Sequence, residues 1–300
     1  MTKSISAASC VALALLLHAA SAAPPARAEN ITVLVASGLP GGTYRNVYAR
    51  NFEREMRGFK FIYVESPGSG RNLDMLADGR ADLAFAQADI FAERMAGDPH
   101  RYGELMLLGR LADECLFIAY RKDGPVTNLA QLAGEEGEDG EGRVNDPAGR
   151  PRKIAVGDPE SGMAGTWSYL VTLDPSLKRA EVDETADTLA INQLAVGVFD
   201  AVGWITDPGN EGHKMLRAAR GNDALAIMSI TDRMLLAPLA DGTRIYETRK
   251  IKLAGGIVKD DFQTLCTSAM VFTRKDANPR LIDKVSDLVS LRLKQIVTER

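Results

Sequence analysis

Short apolar runs in the first third of the chain alternate with apolar residues at helical spacing. The runs at 31–35, 61–64 and 83–86 show no regular polar alternation. Runs of this kind are typical of parallel strands that are buried on both faces. Between the first two runs, the stripe from Tyr44 to Met56 has the spacing of one helix face. The pattern predicts an α/β lobe of the order β-α-β-α-β.

The middle of the chain repeats this pattern in two strands and two intervening helices, at 153–156, 166–173, 189–196 and 201–205. When the two segments are aligned so that Gly79 matches Gly197, Asp82 aligns with Asp200, and the apolar positions of the preceding helices also align. Any unit of helix, glycine and strand gives some likeness of this kind. The match nevertheless favours two lobes of similar construction.

Two long apolar segments bracket the second lobe and end in the same tripeptide. Residues 115–123 and 266–276 each read as a strand that ends in Arg-Lys-Asp. In the simplest path, the chain leaves the first lobe along one of them and returns along the other, which predicts a hinge of two crossing strands. The first lobe then comprises 29–120 and 265–300, and the second comprises 121–264.

The same two segments contain Cys115 and Cys266. In an exported protein, a disulfide between neighbouring strands and a pair of buried free thiols both suit these positions.

Further along, Asn278 and Pro279 form a capping and first-turn pair for a C-terminal helix. We expect this helix to pack on the first lobe.

Residues 134–152 read as an acidic insertion. The stretch 134–142 contains only glycine and acidic residues, and prolines and glycine follow it. Alternating carboxylates and glycines could hold calcium, but their spacing does not match an EF-hand loop. A solvated loop is the simpler interpretation.

The first 28 residues have the pattern of a secretory signal peptide. Lys3 precedes an apolar run at 11–17, and Ala26-Arg27-Ala28 is a small-residue cleavage site. The run is much shorter than the roughly 20 residues that span a bilayer. We therefore expect cleavage near Ala28, a periplasmic protein, and no transmembrane segment in the mature chain.

Composition excludes several classes of function. The 300 residues carry 36 Lys plus Arg and 40 Asp plus Glu, a net charge of −4, which does not indicate a nucleic-acid partner. After the signal, only His100 and His213 remain, and neither belongs to a metal-binding motif. An exported hydrolase would use Ser69 or Ser161, but no histidine base is placed near either in the sequence. We predict no enzyme, no catalytic residue, no metal and no cofactor.

Three small polar turns each follow a predicted strand and precede a predicted helix, at 37–44, 66–72 and 161–167. A helix N-terminus exposes unpaired N–H groups and partial positive charge, and glycine permits close approach of a ligand. Three such ends around one cleft would bind a small anion such as a carboxylate. Taken singly, Thr43, Ser69 and Thr166 could simply cap helices, so this interpretation requires that the turns face one another.

Further candidates follow the strands themselves, because ligands of open parallel sheets bind beyond the carboxyl ends of the strands. Gln87 and Asp89 follow the third strand of the first lobe, and Asp207 follows the equivalent strand of the second. Trp204 lies near that end, where its ring could stack on a ligand or pack in the core.

Many of these residues fall in recognisable motifs. The chain contains Gly41-Gly-Thr-Tyr44, then Ser66-x-Gly-Ser69-x-x-Asn72 and Gly79-x-Ala-Asp-Leu-Ala-Phe-x-Gln87-x-Asp89. The series continues with Val156-Gly157-Asp-Pro-x-Ser161-Gly162, with Asp200-Ala201 before Trp204, and with Val271-Phe-Thr-Arg274. Together these segments resemble the TAXI-type solute receptors of TRAP transporters, over most of the chain and most specifically over 66–89.

The resemblance implies a type II periplasmic-binding-protein fold, in which two α/β lobes close on a solute and deliver it to membrane permease subunits. Family ligands are small carboxylates, including glutamate and 2-oxoglutarate. By the same match, the ligand-binding residues of the first lobe would be Gly42, Thr43, Tyr44, Ser66, Ser69, Asn72, Gln87 and Asp89. Those expected in the second lobe are Ser161, Gly162, Thr166, Trp204 and Asp207.

The second lobe departs from the family pattern. The family has a compact Gly-Ser-Gly-Thr turn, whereas three residues separate Ser161-Gly162 from Thr166 here. This change and the acidic insertion leave two functions open. One is a receptor that captures a small organic anion, a carboxylate or an amino acid, for a TRAP-type permease. The other is a periplasmic sensor or scaffold that keeps the binding fold and signals to a membrane partner.

Overall fold

The computed structural model describes residues 30–136, 142–143, 150–253 and 261–299. The predicted signal peptide and its cleavage site at Ala28 lie outside these residues. In the described part of the chain, no helix combines the length and the apolar character that crossing a membrane requires.

The first lobe begins with three strands separated by helices. Its elements are β1 (Ile31–Ala36), a π-helical turn (Tyr44–Ala49) that continues as α1 (Arg50–Glu55), β2 (Phe59–Val64), α2 (Ser69–Ala77), β3 (Leu83–Gln87), α3 (Ala88–Gly97) and α4 (Pro99–Tyr102). β1 pairs in parallel with both β2 and β3, as the uninterrupted apolar runs predict. Tyr44, Tyr48 and Phe52 are buried, and their spacing of four residues suits the wide π-helical turn.

The remaining elements include two long strands that flank the second lobe. In chain order they are β4 (Leu105–Arg121), α5 (Leu129–Ala133), β5 (Glu135–Glu136), β6 (Gly142–Arg143), β7 (Lys153–Ala155), α6 (Gly162–Leu173), a 3-10 helix (Pro175–Arg179), β8 (Glu181–Asp183), α7 (Asp187–Ala195), β9 (Ala201–Thr206), α8 (Lys214–Arg220), β10 (Leu225–Ile227), a 3-10 helix (Arg233–Leu236), β11 (Glu247–Lys252), β12 (Asp261–Arg274) and α9 (Pro279–Val297).

Most strands join into one sheet of order β2-β1-β3-β12-β4-β9-β7-β8, with β10 beside β4 and β11 beside β12. β4 and β12 lie antiparallel at its centre, with Cys115 directly opposite Cys266. β12 pairs with β3 on one side, and β4 pairs with β9 on the other. The two long strands therefore connect the strand groups of two lobes, which confirms the predicted two-lobed α/β fold with its two-stranded hinge.

The short internal repeat also has a structural basis. Gly79 and Gly197 follow the ends of α2 and α7 with φ of 70° and 80°, a conformation that glycine adopts without a Cβ clash. Three residues after each glycine, the Asp82 and Asp200 carboxylates accept hydrogen bonds at 2.8 Å from backbone N–H groups of β1 and β7. Both aspartates thus tie neighbouring strands together at equivalent places.

The C-terminal helix α9 packs on the first lobe, as predicted. The Asn278 side chain accepts a hydrogen bond from the first turn, and Pro279 is the first helical residue. Leu281, Val285 and Leu288 are buried in the same apolar cluster as the residues of β1, α1 and β3. Burial of this face holds the end of the chain against the lobe in which it began.

Part of the predicted acidic loop forms regular structure. Glu135–Glu136 pairs antiparallel with Gly142–Arg143, so these four residues form strands where the sequence predicted a loop. Residues 137–141 and 144–149 lie outside the described part of the chain.

Candidate functional site

Turns from the two lobes meet beside the end of β3. The turn before α2 and the turn before α6 are so close that a Cβ on Gly68 would lie 2.8 Å from the Gly162 nitrogen. A Cβ on Gly162 would lie 2.2 Å from Oε1 of Gln87. In this arrangement neither glycine has room for a side chain, so both positions need glycine for the lobes to approach this closely.

Gln87 lies at the centre of this contact. Its backbone nitrogen donates to Ser69 Oγ at 3.2 Å, and Ser69 Oγ donates to the side-chain oxygen Oε1 at 3.2 Å. Nε2 of Gln87 donates to Thr166 Oγ1 at 3.0 Å. All three residues are buried. The side chain of Gln87 therefore connects the start of α2 in one lobe to α6 in the other.

Asp89 extends the network from Thr166 to β11. Thr166 Oγ1 donates to Asp89 Oδ2 at 2.6 Å, and Tyr246 OH donates to the same oxygen at 2.8 Å. Burial raises the pKa of Asp89, although both hydrogen bonds oppose the shift. Tyr246, just before β11, belongs to no motif in the sequence, so only the folded chain reveals its part in this contact.

A second buried carboxyl group, Glu114, lies on the hinge strand β4. Tyr44 OH donates to Glu114 Oε2 at 2.7 Å and lies 3.5 Å from Ser69 Oγ. Burial raises the pKa of Glu114 to about 7; the Tyr44 hydrogen bond opposes this shift, and the charges of Asp89 and Asp207 add to it. Burial also raises the pKa of Tyr44, which keeps the phenol protonated as a donor. A single acidic residue at the edge of an apolar run does not indicate a functional role in the sequence.

Three of the predicted ligand-binding residues use their side chains within or next to the turns that carry them. Ser66 Oγ donates to Asn72 Oδ1, and Asn72 Nδ2 donates to the Phe85 carbonyl at 2.7 Å. Ser161 Oγ caps α6 by accepting from Ala164 N at 3.2 Å. These bonds fix the backbone that carries Ser69 and Gly162.

Other predicted residues form none of the hydrogen bonds of this network within the described part of the chain. Gly42 is exposed, and Thr43 is half-buried without a capping hydrogen bond. Asp207 is half-buried and accepts a hydrogen bond from Gly209 N at 2.6 Å. Trp204 requires a correction: it is buried, and its ring stacks on that of Phe117 at 5.6 Å between centroids.

The strand register explains the position of Trp204. Trp204 pairs with Phe117 across β9 and β4, and both lie in the apolar cluster that includes Cys115 and Cys266. Glu114 precedes Cys115, so its side chain projects to the opposite face of the sheet. Trp204 therefore packs in the core on the face away from Glu114.

The two cysteines form a disulfide between β4 and β12, with Cα atoms 3.9 Å apart and a sequence separation of 151. Glu114 and Thr267 are the next pair of opposite residues along the same two strands. The covalent link between the hinge strands is thus immediately beside a buried carboxyl group of the network.

A cavity of about 450 Å³ opens beside α6 in the second lobe. Its lining includes the backbone after β7, the side chains of Trp167 and Val171 on α6, and Lys178 and Val182 on the opposite side. It does not lie between the turns, which touch each other directly. In the described residues, no group of histidine, cysteine and acidic side chains could hold a metal ion.

No protein-family model matches the chain, and no curated protein matches it. Among solved structures, the chain is similar to one from a study of glutathione import through GshT and the cystine ABC importer TcyBC of Streptococcus mutans. The two chains are 10% identical, with a TM-score of 0.50, and the match covers 89% of this chain and 92% of that chain. It is also similar to the P235GK mutant of ArgBP from T. maritima, with 13% identity, 89% and 93% coverage and TM-score 0.48.

A further similar structure is the substrate-binding protein of an amino acid ABC transporter, with 14% identity, TM-score 0.49, and 89% of this chain and 96% of that chain covered. At these identities, the likeness concerns the fold alone. The likeness to GshT, with its TM-score of 0.50, agrees with a two-lobed type II periplasmic-binding-protein fold.

Proposed function

We propose that this chain is a periplasmic solute-binding receptor of the TAXI type, which captures a small organic anion, a carboxylate or an amino acid, for a TRAP-type membrane permease. The observation that carries the proposal is the buried contact of Gln87 and Asp89 with Thr166. These residues come from both lobes: Gln87 and Asp89 belong to the sequence motifs, and Thr166 follows the third polar turn, where the chain departs from the family pattern. A receptor of this fold closes on its solute at such a place.

The helix N-termini at this contact provide the groups that would hold an anionic end. α2 begins at Ser69 and α6 at Gly162, and the first N–H groups of a helix carry partial positive charge. A solute favours closure when it makes contacts that only the closed state completes. Gln87 and Thr166 make such a contact directly, and a bound solute would extend or replace it.

The proposal includes the lobe boundaries. We take residues 29–120 and 265–300 as the first lobe and 121–264 as the second, because β4 and β12 are the long strands shared by both strand groups. Closure would then bend these two strands, and the Cys115–Cys266 disulfide would keep them paired at the point of bending.

One observation favours the alternative of a sensor or scaffold. The lobes bind each other through their own side chains, including an ion pair between Arg71 and Glu160 at 3.5 Å. A protein that closes without a solute would present a constant closed face to a membrane partner. A hydrolase has no comparable support, since within the described residues the hydrogen bonds of Ser69 and Ser161 involve no histidine.

A thermal-shift screen of the mature protein separates the two functions. Dicarboxylates, amino acids and aromatic acids are the compounds to compare. A receptor predicts that at least one raises the melting temperature, because a ligand at 100 times its Kd stabilises the native state by about 2.7 kcal/mol. A screen in which no compound raises it would contradict the receptor and favour the scaffold.

A further inference from the structure

Acidic and hydroxyl side chains form a row across the centre of the sheet. Thr267 on β12 pairs directly with Glu114 on β4, so their side chains lie on the same face. The register of β9 on β4 brings Asp207, one residue beyond β9, to the level of Glu114. The register of β3 on β12 brings Asp89 to the level of Thr267. We call these four residues the acidic row.

Within the described ranges, no positively charged side chain pairs with a carboxyl group of the acidic row. Glu114 and Asp89 accept hydrogen bonds from uncharged hydroxyl groups, and the charges that act on Glu114 are those of Asp89 and Asp207. Asp113, one residue before Glu114, is different because it forms ion pairs with arginines on both sides. Buried carboxyl groups without an opposite charge are costly to the folded state.

An unused hydroxyl group gives a second, independent observation. Thr267 is 3% exposed, and its Oγ1 has no hydrogen-bond partner among the residues that the structure describes. Buried polar side chains are nearly always hydrogen-bonded, so an exception of this kind needs an explanation. Because Thr267 is directly opposite Glu114, its free hydroxyl lies beside the uncompensated carboxyl group. A hydrogen-bond donor on this face would satisfy the hydroxyl and the carboxyl group together, and the carboxyl group favours a donor of positive charge.

We infer that the acidic row receives a protonated amino group of the solute; this inference rests on the proposed function. An ammonium group has three N–H donors and no acceptor. Glu114, Asp207 and the hydroxyl of Thr267 supply three acceptors at one level of the sheet. A carboxylate on the same solute would lie toward the N-termini of α2 and α6. The solute is therefore an amine or an amino acid, and a carboxylate without an amine is excluded.

Matched pairs of compounds test this inference by titration calorimetry on the mature wild-type protein. The pairs are glutamate with 2-oxoglutarate, phenylalanine with phenylpyruvate, and 5-aminopentanoate with pentanoate. Within each pair the skeleton is alike, and one member carries an amine. We expect the amine to bind about tenfold or more tightly in every pair that binds, as a charge-assisted hydrogen bond would give.

The outcomes separate this inference from the proposed function. If the carboxylate without an amine binds equally well or better, the receptor stands and the ammonium site is overturned. If no compound of any pair binds, the proposed receptor fails, and the ammonium site fails with it. Preference for the amine supports both.

Variants identify the residue responsible. Glu114→Gln keeps the shape and the acceptor for Tyr44 but removes the charge, so the preference for the amine should fall to about threefold or less. Asp113→Asn is the matched control, because that carboxylate is already paired with arginines. Unchanged preference in Glu114→Gln, or an equal loss in Asp113→Asn, overturns the inference. If Glu114→Gln does not fold, Asp207→Asn at a half-buried residue gives the same comparison with Asp113→Asn.

Discussion

Gln87 Nε2 lies 3.0 Å from Thr166 Oγ1, and this hydrogen bond joins the end of a strand in one lobe to a helix of the other. The same threonine oxygen donates to Asp89 at 2.6 Å. One hydroxyl group therefore accepts from an amide and donates to a buried carboxyl group across the interlobe contact. The closed arrangement depends on it.

Thr166→Val tests this dependence, because valine keeps the shape of threonine and removes both hydrogen bonds. Leaving buried Gln87 and Asp89 short of a partner should lower the free energy of unfolding by about 2 kcal/mol. Thr172→Val on the same helix is the control, since Thr172 bonds only a carbonyl one turn earlier. Urea denaturation of both variants measures the difference, and equal loss in both would contradict the role of Thr166.

Gly162→Ala tests how closely the lobes must approach. A Cβ at this position would lie 2.2 Å from Oε1 of Gln87, so the lobes must separate or Gln87 must move, at a cost of about 1–3 kcal/mol. Small-angle X-ray scattering should show a larger radius of gyration than in the wild type. Gly97→Ala is the control, because a Cβ there meets nothing within 4 Å. An unchanged radius in Gly162→Ala would mean that this contact does not hold the lobes together.

Stability should depend on the protonation of Glu114. Burial raises its pKa to about 7 from 4.5, so the native state binds a proton more tightly than the unfolded chain. This contribution is fully present below pH 4.5 and is lost as pH rises through 7, by up to about 3 kcal/mol. Tyr44, Asp89, Asp207 and Thr267 face this group, and the raised pKa of Asp89 acts in the same direction.

Thermal denaturation of the wild type and Glu114→Gln between pH 4.5 and pH 8 checks this prediction. The wild type should lose more stability than the variant over this range, because glutamine does not titrate. Parallel curves for the two proteins would show that Glu114 ionises with its ordinary pKa.

The Cys115–Cys266 disulfide closes a loop of 151 residues. Loop-closure entropy predicts that the Cys115→Ala, Cys266→Ala double variant is less stable by about 4–5 kcal/mol. Both cysteines are buried, so the wild type should react with no thiol reagent until it is both denatured and reduced. Labelling of the native, unreduced protein at either cysteine would contradict the disulfide.

Much of the fold could be predicted because apolar patterning is local. The runs that form β3 and β9 are buried along nearly their whole length, and such strands show in the sequence without further context. The runs of β1 and β2 also form strands, but each includes exposed residues. The similar ends of β4 and β12 predicted their pairing, and Asn278-Pro279 predicted the start of α9. The π-helical turn and the pairing of β5 with β6 were not predicted, because the first depends on packing and the second involves only four residues.

The site was harder to predict than the fold. Ser69, Gln87 and Asp89 stand at strand and helix ends, where position alone indicates a polar role. Thr166, which the sequence placed at a helix start, lies inside α6, because that helix already begins at Gly162. Glu114, Tyr246 and Thr267 have no position in the sequence that indicates a role. Their importance comes from the residues that the folded sheet places opposite them. Trp204 shows the converse error: its place near a strand end suggested a ligand, but the alternation of faces directs it into the core.

Hydrogen exchange measures most directly whether a solute binds between the two lobes. Mass spectrometry of the mature protein, with and without a compound that raises its melting temperature, reports which backbone amides become protected. We expect the backbone amides at 66–72 in the first lobe and at 157–166 in the second to become protected together. Protection confined to the cavity beside α6, around Lys178 and Val182, or to one lobe alone, would contradict binding between the lobes.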